Sequence, residues 1–240
     1  MGIDEVLLET AVERAQPVLR LYSWNPSAVS IGYAQPVERH IHLDQCRQSG
    51  IPIVRRMTGG KAVFHDREVT YSLSGPPDRI PFAGDLMTSY RTIASALLRM
   101  LTAFGLKARM APADTRANRA GISSCFAAAS AYEITIGDRK IIGSAQKRTQ
   151  NGILQHGSIL LDYQEERWRE LMCRGTDASM GHVTSLIEAT GSVVSRDDVI
   201  SAMIRAFEIE FGMRLEREDP NEIEQERAEQ VSRSRYPNLA

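Results

Sequence analysis

The segment from Leu86 to Phe104 sets the first constraint on the fold. Leu86, Tyr90, Ile93, Ala94, Leu97, Leu98 and Leu101 recur along it at helical spacing and Gly105 ends it, so one face of a long α-helix has to be covered by a core. The flanking sequence supplies short apolar runs between turns, the length of strands. Strands are predicted at Val18 to Tyr22, Ala28 to Ile31, Pro52 to Arg56, Lys61 to Phe64, Val69 to Leu73, Tyr132 to Ile136, Lys140 to Gln146 and Ile153 to Leu161. Gly137-Asp138 is a hairpin turn, and Gly75-Pro76-Pro77 breaks the chain ahead of the long helix. Further helices are predicted over Ile3 to Ala15, Val37 to Ser49 and Gln164 to Met172. Another follows Ser195, with Asp198 placed for a capping box, and a last one is entered through Asp219-Pro220. Phe211 to Glu216 leaves room for one short strand.

With 240 residues and 42% hydrophobic content, the alternation of strands and helices predicts one well-buried α/β domain over 1–240, its C-terminal part from 163 mostly helical. Twenty-nine basic against thirty acidic residues give a net charge of −1, which removes the bulk electrostatic case for nucleic acid or a membrane surface. Cys46, Cys125 and Cys173 form neither a CxxC pair nor an even framework, so no metal site and no disulfide scaffold is predicted. Cys46 and Cys173 read as packing residues. No apolar stretch approaches the ~20 residues of a membrane span, and the start lacks the basic and apolar regions of a signal peptide, so a cytoplasmic location is expected.

Chemistry concentrates in two places. Cys125 lies in a polar, alanine-rich loop from Ala111 to Ser130, and Lys140 opens the strand Lys-Ile-Ile-Gly-Ser-Ala-Gln. A thiol accepts an acyl group from a thioester at little thermodynamic cost and passes it to an amine downhill. At a pKa of ~8.5 only about 3% of it is thiolate at pH 7, and a close ammonium raises that fraction. The second place is the turn at Gly59-Gly60, where Arg55, Arg56, Lys61 and His65 crowd residues suited to an anionic phosphopantetheine or nucleotide phosphate.

Arg55-Arg56-Met57-Thr58-Gly59-Gly60-Lys61-Ala62-Val63-Phe64-His65-Asp66, followed by Glu68-Val69-Thr70-Tyr71-Ser72, resembles the signature of the lipoate–protein ligase and octanoyltransferase superfamily. Gly137-Asp138-Arg139-Lys140-Ile141-Ile142-Gly143-Ser144-Ala145-Gln146 and His156-Gly157-Ser158-Ile159-Leu160-Leu161-Asp162 match it in the same order. So do Leu21-Tyr22-Ser23-Trp24-Asn25-Pro26 and Ser30-Ile31-Gly32-Tyr33-Ala34-Gln35, and the likeness is strongest over 2–162. Octanoyltransferases of the LipB type carry their cysteine just before the His-Gly pair, where this chain has Gly152-Ile153-Leu154. Ser123-Ser124-Cys125-Phe126 ahead of Tyr132-Glu133 is instead similar to the LipM type.

The resemblance implies a mixed, largely antiparallel sheet packed by helices, like the catalytic domain of lipoate and biotin ligases. It implies octanoyl transfer from octanoyl-acyl carrier protein, through a thioester on Cys125, to a lysine of a lipoyl domain such as glycine cleavage H protein. No cofactor is implied. Lys140 would stabilise the thiolate and move protons, since an amine of pKa ~10.4 is neutral in only about 0.04% of molecules at pH 7. The substrate-binding set implied is Arg55, Arg56, Thr58, Gly59, Gly60, Lys61, His65, Gly143, Ser144, Ala145, His156 and Gly157, with Val63, Ile142 and Gly143 walling the acyl chain. Arg47, Lys147 and Arg148 are candidates for a basic face that docks an acidic carrier protein.

Three alternatives stand beside this. ATP-dependent lipoate ligases share the Arg-Arg stretch and the lysine, but typically read Gly-Asn-Leu-Asn in place of Glu68-Val69-Thr70-Tyr71. Octanoyl amidotransferases between lipoyl carriers also use a cysteine in this region. A non-catalytic binder of lipoyl or pantetheine groups would keep the pocket without turnover. Relatives usually place a strand and turn before the helix that begins at Met1, so an upstream start or an exposed sheet edge is expected.

Overall fold

The computed structural model describes residues 1–111, 133–172 and 182–240. Its centre is β5 (Glu68–Gly75), buried at every residue. β5 pairs with β1 (Val18–Tyr22) on one side and β9 (Ile153–Leu160) on the other. Beyond β9 lie β8 (Arg139–Arg148), β7 (Ile134–Ile136) and β6 (Ala108–Met110). The order β1-β5-β9-β8-β7-β6 is antiparallel throughout, with β7 and β8 joined through Gly137 at φ 58°. A second sheet has β2 (Ala28–Ile31) between β3 (Ile53–Arg55), parallel to it, and β4 (Val63–His65), antiparallel. The expected mixed, largely antiparallel architecture is therefore present.

Strand periodicity sends alternate side chains of the larger sheet to opposite faces. On one face Val69, Tyr71, Leu73, Ile142 and Ile159 pack with Ile93, Leu97, Met100 and Leu101 of α4 (Leu86–Ala103) and with Met203 and Phe207 of α7 (Arg196–Phe211). Asp85 caps α4 by accepting from the Thr88 N–H at 2.7 Å, and Ser195 with Asp198 forms the expected capping box on α7. The smaller sheet has its own core, in which Val29, Ile31, Ile53 and Phe64 meet Cys46 of α3 (Leu43–Gln48) and Trp168 and Leu171 of α5 (Glu165–Leu171). Cys46 is thus a packing residue, as its helical pattern predicts, whereas Cys173 lies outside the described residues. α1 (Gly2–Glu9) packs on α8 (Glu222–Arg235) through Val6, Ala228 and Val231. Among the described residues no helix is long and apolar enough to cross a membrane.

Four elements depart from expectation. The helix predicted over Ile3 to Ala15 stops at Thr10, whose hydroxyl donates to the Val6 carbonyl at 2.9 Å, and resumes as α2 (Ala11–Arg14). The pattern from Val37 is helical only in α3, because Ile41 bridges Met172 and the His42 N–H donates to the Leu171 carbonyl at 2.9 Å. No strand forms between Phe211 and Glu216: Gly212, at φ 62°, caps α7, and the Leu215 N–H is taken by the Glu208 carboxylate at 2.9 Å. Leu86 opens α4 but is exposed, so the buried face begins at Ser89. Sequence periodicity missed β6 and α6 (Leu186–Thr190), which are too short for it to register.

Candidate active site

Gly143, Ser144 and Ala145 of β8 stand in register with Ser158, Gly157 and His156 of β9, and Ser158 with Thr70 of β5. These residues form one wall of a cleft. Ser30, Val63 and His65 of the smaller sheet, with Arg56 just past the end of β3, form the facing wall. Trp24 stacks on His65 with ring centroids 4.3 Å apart. The cleft is therefore the seam between the two sheets.

Glycine permits close backbone approach at two places around it. A Cβ on Gly157 would meet the Gly143 carbonyl oxygen and Tyr71 Cε1, both at 2.5 Å. Both neighbours are fixed by the sheet, so Gly157→Ala is expected to cost about 1–3 kcal/mol of stability in urea denaturation, along with loss of acyl uptake. Gly60 takes φ 89°, and a Cβ on Gly32 would lie 2.0 Å from its carbonyl oxygen. This close approach holds the Gly59-Gly60 turn against the end of β2.

The polar lining is hydrogen-bonded inward. His156 Nε2 and the Thr58 hydroxyl lie 2.6 Å apart. Burial, with the Arg56 guanidinium nearby, pushes the His156 pKa down to about 3, so the imidazole is neutral at physiological pH. The unfolded chain takes up a proton at this position below pH ~6.5 and the native protein does not. The associated stability is fully present above pH ~6.5 and falls by about 1.4 kcal/mol per pH unit as the medium is acidified below it. Denaturant midpoints for wild type and His156→Gln between pH 7 and 5 should show the variant's slope to be flatter.

Lys140 lies near the start of β8, 1% exposed, its ammonium paired with the Glu133 carboxylate. Its carbonyl accepts from the Thr184 N–H at 2.9 Å, beside a bridge to Val183. The Ala111 N–H donates to the Glu133 carbonyl at 2.7 Å. Ala111 and Glu133 are the described residues that flank 112–132, which carries Cys125 and lies outside the described residues. Three residues along β8 from Lys140, Gly143 lines the cleft.

A family profile described as the lipoyl protein ligase A/B catalytic domain matches residues 1–208. The chain belongs to that family. Octanoyltransferase LipM of Kyrpidia tusciae is 37% identical over 247 residues, covering 96% of this chain and 89% of that one. Octanoyltransferase LipM of Bacillus subtilis is 35% identical over 243 residues, covering 94% and 85%. Among solved structures, a lipoate-protein ligase A bound with ATP superposes with a TM-score of 0.83 at 25% identity, over 97% of this chain and 88% of that one. A bipartite lipoate protein ligase from Thermoplasma acidophilum shares the fold, with a TM-score of 0.76 at 22% identity over 97% and 88%.

Within this family frame the expected site residues separate into groups. Arg56, His65, Gly143, Ser144, Ala145, His156 and Gly157 all line the cleft. Thr58 stands behind His156, and Lys61 offers its carbonyl to Arg56 at 2.7 Å. Arg55 does not reach the cleft: its guanidinium donates to the carbonyls of Gly32, Tyr33 and Gln35, bracing that loop. Of the three wall residues, Val63 and Gly143 line the cleft, but Ile142 points the other way into the core under α4, as alternation next to Gly143 requires. Arg148 is likewise no free docking cation, since it donates to the carbonyls of Phe82, Gly84 and Asp85 and to Ser89, tying β8 to the start of α4. Arg47 pairs with Asp44 at 3.1 Å, and the Lys147 ammonium lies over the Tyr33 ring at 5.8 Å.

The residue-by-residue reading missed Ser30, Thr70, Ser158 and Trp24 as cleft residues and Glu68 behind them. The usable signal was a cluster of small hydroxyl side chains at alternate positions of buried strands, where apolar residues would be the default. Among the described residues no group of three or more His, Cys, Asp or Glu is placed to hold a metal.

Proposed function

We propose that this protein transfers an octanoyl group from octanoyl-acyl carrier protein to the ε-amine of a lysine on a lipoyl domain, through a thioester on Cys125. The observation that carries this reading is the buried Lys140–Glu133 pair at the join between the cleft strand β8 and the ends of the cysteine-bearing stretch. The likeness to octanoyltransferases LipM supports the acyl group. About seven CH₂ or CH₃ groups beyond the carbonyl contribute roughly 5–6 kcal/mol when buried.

The Cys125 thiolate attacks the donor thioester carbon. The tetrahedral intermediate collapses, the carbon–sulfur bond to phosphopantetheine breaks, and the departing thiolate takes a proton. The acceptor amine, once deprotonated, then attacks the octanoyl-Cys125 carbonyl, forming an amide and regenerating the thiol. Lys140 is the group we assign to thiolate stabilisation and proton transfer, with Glu133 holding its ammonium in place. Neutral His156 and its Thr58 partner position the chain rather than move protons.

Intact-mass spectrometry after incubation with octanoyl-acyl carrier protein and no ATP tests the reading. A gain of about 126 Da, lost on hydroxylamine treatment, marks an octanoyl thioester on a nucleophilic cysteine. No gain, together with ATP-dependent attachment of free octanoate to the acceptor, would replace it with the ligase reading.

A further inference from the structure

Glu68 has no part in the chemistry above, yet it is fully buried at the start of β5, directly behind the cleft wall. One carboxylate oxygen accepts the Thr70 hydroxyl and faces His65 Nδ1 at 2.6 Å, and the other accepts the Ser158 hydroxyl. The direction of the Thr70 bond is fixed from its far end. The Trp24 indole N–H, which can only donate, reaches Thr70 Oγ1 at 3.0 Å and leaves the Thr70 hydrogen for Glu68. The Arg56 guanidinium, also a pure donor, reaches Ser30 Oγ at 3.1 Å, and in the tautomer that donates from Nδ1 to Glu68 the Ser30 hydrogen serves His65 Nε2, 2.8 Å away.

We propose that Glu68 is a common acceptor that turns the protons of Thr70, Ser158, His65 and, through His65, Ser30 away from the cleft, so that the site selects a saturated acyl chain over an oxygenated one. This rests on the acyl-transfer reading above. A methylene chain has nothing to offer a hydrogen-bond donor, and a donor facing it would lose its water without gaining a partner. A hydroxyl on the chain beside Thr70 or Ser158 meets groups whose hydrogens are held by Glu68 and gains no donor from them. Glu68 is thus a positioning residue that acts through the wall without touching the substrate.

In Glu68→Gln the amide nitrogen replaces one acceptor oxygen. With the amide oxygen kept toward His65 and Thr70, the nitrogen donates to Ser158, whose hydroxyl hydrogen swings into the cleft. Adding Ser158→Ala removes that hydrogen while leaving the glutamine in place.

The test uses octanoyl-acyl carrier protein and three analogues with a hydroxyl at carbon 3, 5 or 7 as donors, reading adduct formation by intact mass. Wild type is expected to disfavour at least one hydroxylated donor by about tenfold to a hundredfold in kcat/KM. Glu68→Gln should raise KM for the octanoyl donor about tenfold with little change in kcat, and narrow the discrimination. Glu68→Gln/Ser158→Ala should return KM toward wild type. Wild type accepting all three hydroxylated donors within twofold of octanoyl would overturn the proposal without reliance on any variant. So would a Glu68→Gln defect confined to kcat, or one that Ser158→Ala does not relieve. Absence of any adduct with octanoyl itself would instead sink the transfer reading.

Discussion

Replacing Cys125 by alanine should reduce octanoyl transfer by at least about 10³-fold and abolish the octanoyl-enzyme adduct. The size follows from the chemistry: without a nucleophile, the acceptor amine must attack the carrier-bound thioester directly, and one step with a poorly activated amine replaces two easier ones. Cys125→Ser is the more exacting variant. Its hydroxyl is far less acidic than a thiol, so a nearby ammonium that suffices for a thiolate does not generate an alkoxide. Denaturation midpoints measured alongside separate lost chemistry from lost folding. Single-turnover assays with a lipoyl domain as acceptor distinguish the outcomes, because residual transfer within tenfold of wild type in Cys125→Ala would mean that the cysteine is not the acyl carrier.

Lys140→Met should impair both stability and turnover. Removing the lysine strands the Glu133 carboxylate in a buried site, which typically costs about 3–5 kcal/mol. For a chain of this length that is a fall of roughly 10 °C in Tm. The double variant Lys140→Met/Glu133→Gln removes both charges and should recover much of the Tm by calorimetry. Transfer should stay about 10²- to 10⁴-fold below wild type in the double variant, since the proton-moving ammonium is still missing. Recovery of activity along with stability would assign the pair a structural role only.

The strands at Val18–Tyr22 and Ala28–Ile31 and the capping box at Ser195 were legible because each is a local pattern: apolar runs of strand length between turn residues, or a hydroxyl three residues before an acid. The same locality misled the reading of the arginines. Arg148 looks like a free cation in sequence but is taken up by three backbone carbonyls of a distant loop, and one Arg55 nitrogen likewise braces the loop at 32–35. Ile142 was misassigned for a related reason, since the face a strand residue occupies is decided by which neighbour lines the cleft.

By itself the sequence determined the succession of strands and helices, the glycines that the turn and the close approaches need, and the residue types present for acyl chemistry. That two sheets meet at a seam, that Lys140 is buried against Glu133, and that hydroxyls from two strands converge on one carboxylate was settled by the tertiary fold alone. Backbone preferences and hydrophobic periodicity act over a few residues and can be read along the chain. Burial of a charge and the direction of a hydrogen bond depend on partners far apart in sequence, as Glu68 and Ser158 are at 90 positions, and exist only once the sheets have closed.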